Sequence, residues 1–89
     1  MSQIYYVGAD HFATGEGRTL SLLITTAQSD QEALDKFRAK FGEYFSIGAR
    51  TWGKDEFFAQ WGHYVPDALN QRIHAGNCMW SMQFHLNLS

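Results

Sequence analysis

The sequence predicts an α+β fold: a two-layer sandwich in which a four-stranded, largely antiparallel sheet carries two to three helices on one face, in the order ββαβααβ. Three observations predict it. From Cys78 to Leu88 every even position is apolar (Cys78, Trp80, Met82, Phe84, Leu86, Leu88), while the odd positions other than Met79 are polar. That period of two reads as a strand with one buried face. Two strand-forming segments near the N-terminus are separated by a Gly-containing run, as in an antiparallel hairpin. Between the hairpin and the last strand lies a segment with both a helix start and a helix stop signal.

In chain order, residues 3–9 are rich in strand formers, with apolar groups on both faces. Residues 10–18, with Asp10, Thr14, Gly15, Glu16 and Gly17, read as the hairpin loop. Residues 19–26 form the second strand, Leu20, Leu22 and Ile24 lining one face. Ser29-Asp30-Gln31-Glu32 is a capping box: the Ser29 hydroxyl can accept from the Glu32 N–H. The helix it opens runs to about Phe41, stops at Gly42, and buries Ala33, Leu34, Phe37 and Phe41. Its acids come first and Lys36, Arg38 and Lys40 later, matching the helix dipole.

Residues 44–52 are expected as a third strand, with Phe45, Ile47 and Ala49 on one face and Tyr44, Ser46, Gly48, Arg50 and Trp52 on the other. Asp55–Trp61 is expected as a short helix ended by Gly62. Pro66 suits the first position of another, with Leu69 and Ile73 inward and Gly76 closing it.

A chain of 89 residues makes one domain and buries roughly 60–65% of its extended surface. An apolar fraction of 45% against 18% charged excludes a disordered chain. Aromatic residues make up 16%, more than one small core absorbs, so some rings are expected at the surface. The formal net charge of −2 disfavours a general phosphate-backbone binder. A single cysteine, no signal-like N-terminus and no long apolar run lead to the expectation of a cytoplasmic protein with no membrane span.

No catalytic, metal or cofactor signature emerges. His11, His63, His74 and His85 are too widely spaced for a local ligand pair. Cys78 falls on the apolar face of its strand, with no helix N-terminus or basic neighbour in sequence to activate it. The pair Asp55-Glu56 suits a helix start better than acid–base work. Gly15-Glu16-Gly17 is followed by a strand, not by a phosphate-binding helix. The expectation is therefore a non-enzyme without cofactor or metal.

What the pattern does offer is an outer sheet face. With helices on the other side, that face carries Tyr44, Arg50, Trp52, Met79 and His85, residue types enriched at protein interfaces. The expected function is a small protein-binding module that occludes or bridges a protein partner. Accessory proteins of phages and mobile elements, including anti-CRISPR inhibitors of host defence, are of this general type. Homodimerisation through an open sheet edge is a related expectation. The alternative is a nucleic-acid-binding or regulatory domain contacting phosphate through Lys36, Lys40 and Arg50.

Overall fold

The computed structural model describes residues 3–13, 17–66 and 79–86. Its elements are β1 (Gln3–Ala13), β2 (Gly17–Ala27), α1 (Asp30–Phe41), a 3-10 turn (Tyr44–Ser46), β3 (Arg50–Trp52), α2 (Lys54–Trp61), a second 3-10 turn (Gly62–Tyr64) and β4 (Trp80–Leu86). The four strands form one antiparallel sheet in the order β3-β1-β2-β4. The α+β class and the four-stranded sheet are those the sequence predicts.

The hairpin is longer than its composition suggests. β1 and β2 pair without interruption from Gln3↔Ala27 to Ala13↔Gly17, so much of the expected loop 10–18 is ladder. Asp10 and Arg18, on the same face, make a two-pronged ion pair, with Arg18 Nε and Nη2 donating to the carboxylate at 2.6 and 2.5 Å. Opposite charges on paired strands are compatible with a strand, and backbone pairing outweighs the turn preference of the individual residues.

The helices lie on both faces of the sheet, which corrects the expected placement on one. Val7, Ala9, Leu23 and Ala27 pack with Ala33 and Phe37 of α1. Tyr6, Leu20, Leu22 and Ile24 pack with Phe57 and Trp61 of α2 and with Val65. Neighbours in sequence such as Tyr6 and Val7 thus serve opposite cores, as strand alternation requires. The physical reason is in the central strands themselves. Both faces of the β1–β2 pair carry apolar residues, Tyr6, Leu20, Leu22 and Ile24 on one and Val7, Ala9, Leu23 and Ala27 on the other, and both sets must be covered. The connection from β2 to β3 covers the first face with α1. The chain then covers the second with α2 as it passes from one sheet edge, β3, to the other, β4.

The expected strand at 44–52 is reduced to Arg50–Trp52, which pairs with β1 as Tyr6↔Trp52 and Gly8↔Arg50. Before it, the chain is bent: Ser46 N–H donates to Glu43 O at 3.1 Å, Ser46 Oγ to Gly42 O at 2.6 Å, and Ala49 N–H to Ser46 O at 3.0 Å. Backbone groups that satisfy one another locally have none left for a ladder. Helix α1 follows its signals, with Ser29 Oγ accepting from the Glu32 N–H at 3.2 Å. Gly42, at φ +88°, ends the helix and donates its N–H to Arg38 O at 2.8 Å. The expected helix from Pro66 to Gly76 lies, after Pro66, outside the described residues, as do Cys78, Asn87 and Leu88.

Candidate interaction site

The continued β1 strand carries His11 to the far end of the α1-side face, in the series Tyr5, Val7, Ala9, His11. The bend after Gly42 turns Tyr44 and Phe45 back onto it. The His11 ring centre lies 4.4 Å from Tyr44 and 5.8 Å from Phe45. Tyr44 and Phe45 meet edge-on at 5.0 Å, and Phe45 faces His85 at 6.4 Å. His85, opposite Thr19 in the β2–β4 ladder, is held by the Thr19 hydroxyl at 3.1 Å from Nδ1.

Four rings from three parts of the chain therefore form one cluster at the sheet end. It is not a core. Tyr44 is 53% exposed, Ile47 beside it 64%, and His85 is exposed as well. Rings of this kind present large, rigid apolar area together with polar tips, a phenol and two imidazoles here, that can donate or accept.

A second feature lies on the same face toward the other end of β4. Leu23, Thr25, Lys36, Lys40, Met79, Trp80 and Ser81 line an open cleft of about 280 Å³ between α1 and β4. Lys36 Nζ donates to Thr26 O at 2.7 Å and lies 3.6 Å from Glu32. Lys40 makes no hydrogen bond or ion pair among the described residues.

The remaining candidates face the other way. The Tyr6↔Trp52 pairing sets Trp52 on the α2 side, where it meets Trp61 at a ring distance of 4.7 Å. Arg50 stacks over the Trp52 ring at 3.5 Å and lies 3.9 Å from Glu56 of α2. Here the indole is packing material and the guanidinium its cover.

Of the five residues expected on one face, the structure thus brings Tyr44 and His85 together, puts Met79 at the cleft, and separates Arg50 and Trp52 onto the opposite side. Of Lys36, Lys40 and Arg50, only the two lysines share a surface. Sequence reasoning missed His11 and Phe45. His11 falls within the loop expected at 10–18, although the alternation Tyr5, Val7, Ala9 extends to it. As a strand, the segment 44–52 places Phe45 on the face opposite Tyr44. Once the segment bends, the alternation carries no information about facing.

Among the described residues, no group of three or more His, Cys, Asp or Glu side chains is placed to hold a metal ion. No described helix is long and apolar enough to cross a membrane. Comparison with protein-family models, with curated proteins and with solved structures finds no match to this chain.

Proposed function

We propose that this chain is a small, non-enzymatic protein-binding module that docks a protein partner through the His11–Tyr44–Phe45–His85 cluster and acts by occluding or bridging it. The observation that carries the reading is that these rings hold one another in place while facing outward. A tyrosine pre-set by its neighbours gives contact area at little entropic cost, which is how interface anchors work. Inhibitory accessory proteins act in this stoichiometric way, and the reading extends to that class. A reducing, cytoplasmic setting suits a chain with one cysteine.

The test compares wild type with the Tyr44→Ala/His85→Ala double variant. Both chains are tagged, captured from host lysate with and without nuclease, and matched for folding by circular dichroism. The expected result is a nuclease-resistant, stoichiometric partner whose affinity falls about tenfold or more in the variant. Undiminished capture by the variant overturns the assignment to this patch.

A second reading, nucleic-acid contact, is favoured by one observation: Lys36 and Lys40 share the cleft. It predicts binding that weakens steeply with salt and is lost with nuclease. The net charge of −2 and the diversion of Arg50 to the other face count against it.

A further inference from the structure

Among the described residues, the two edges of the sheet are protected very differently. β3 is three residues long and carries Arg50. Shortness and charge are the usual means of blunting an edge. β4, at the opposite edge, has seven residues, Trp-Ser-Met-Gln-Phe-His-Leu, with no proline, lysine or acid. Among the described residues no strand pairs with its outer side. Trp80, Ser81, Met82, Gln83 and Phe84 are all only half-buried, and His85 is exposed.

Alternation divides the surroundings of that edge. On the α2 side, Trp80 and Phe84 lie against the hydrophobic core, with Met82 between them in register. On the α1 side stand Ser81, Gln83 and His85. At the Met79–Ser81 end this side opens into the cleft beneath Lys36 and Lys40. The cleft lining contains two cations and no carboxylate.

We infer that the outer edge of β4 is a docking site for an extended segment of a protein partner with alternating apolar and acidic side chains. The segment adds as a fifth strand. Its backbone takes up the outward N–H and C=O groups of β4, which no described strand pairs with. Its side chains on one face continue the apolar row of Trp80, Met82 and Phe84. Those on the other reach the cleft, where carboxylates meet Lys40 and Lys36. Charge complementarity selects this occupant over a second copy of the chain. A second β4 brings Ser81, Gln83 and His85 to that face and leaves Lys40, which has no ion pair among the described residues, unanswered. The site shares His85 with the ring cluster but does not include Tyr44, so a change at Tyr44 tests the cluster separately.

The experiment uses fluorescently labelled seven-residue peptides, matching β4 in length. One alternates Val and Glu, a second alternates Val and Lys, and a third is the Val/Glu peptide with a central proline. Binding to the full chain is read by fluorescence anisotropy, with oligomeric state followed by sedimentation. The Val/Glu peptide is expected to saturate. The Val/Lys and proline peptides are expected to bind about tenfold more weakly, through lost ion pairing and a blocked ladder respectively. Lys40→Glu, a change at an exposed position, is expected to reverse the Glu/Lys preference. Equal binding of all three peptides, or no saturation by the Val/Glu peptide, overturns the inference. So does a single-stranded oligonucleotide that displaces the Val/Glu peptide and is itself weakened by Lys40→Glu. A dimer that forms through β4 and excludes the peptide assigns the edge to a second copy and overturns it as well. Retention of peptide binding by Tyr44→Ala, a change outside β4, separates this site from the ring cluster.

Discussion

An ideal Cβ built on Gly8 stands 2.5 Å from Trp61 Cζ3 and 2.7 Å from Cη2. No real side chain tolerates that approach, and the obstacle is a rigid indole packed between Phe57 and Trp52. Gly8→Ala is expected to cost about 2–3 kcal/mol, read as a lowered urea midpoint. The residue beside the same ring system sets an alkaline limit. Tyr6 is buried, and desolvation raises its phenol above the ordinary value of 10.0. Below about pH 10 the folded and unfolded chains both keep the proton, and stability is unaffected. Above it the unfolded chain ionises first, and stability falls until the folded phenol also ionises, by at most about 1.4 kcal/mol per pH unit for one proton. Urea titrations at about pH 9 and about pH 11 are expected to show a larger loss in wild type than in Tyr6→Phe. An equal loss in both would remove Tyr6 from the account. Neither feature is legible in the sequence. Gly8 reads there as an interruption in a strand, and the ring that demands it lies more than fifty residues away.

At the scale of elements, α1 was readable almost to the residue because its determinants are local. The Ser29 cap, the acids of the first turn and the Gly42 stop lie within the helix or next to it. Ser29→Ala removes the acceptor for the Glu32 N–H and is expected to cost about 1 kcal/mol, measured by thermal or urea unfolding, with the fold intact. The segment 44–52 shows the opposite case. Its alternation of apolar and polar residues fits a strand, yet Ser46 closes a turn onto Gly42 and Glu43, and only Arg50–Trp52 reaches β1. A strand depends on whether a partner edge is within reach, and that is decided by where α1 delivers the chain. The same bend creates the candidate site, since it swings Tyr44 and Phe45 onto His11.

For the whole molecule, one sheet is the shared wall of two cores. Phe37 fills the α1 side and Phe57 the α2 side, and both are fully buried. Phe37→Ala and Phe57→Ala are each expected to cost about 3–5 kcal/mol. Because Tyr6 and Val7 tie the two cores through adjacent bonds of β1, both variants are expected to unfold in a single transition. Far-ultraviolet circular dichroism and tryptophan fluorescence should report the same midpoint. Separated midpoints would mean that the layers melt independently. The sequence by itself determined the α+β class, the hairpin, the first helix and the last strand, because periodicity and caps act over a few residues. It even held the clue to two covered faces, in the apolar residues on both sides of the first strand. Only the tertiary structure decided that α1 and α2 take opposite faces, that Trp52 turns inward to Trp61, and that His11, Tyr44, Phe45 and His85 converge. Those outcomes depend on long-range burial: each apolar face of the central hairpin must be covered, and the path that covers both determines which side chains are left facing water.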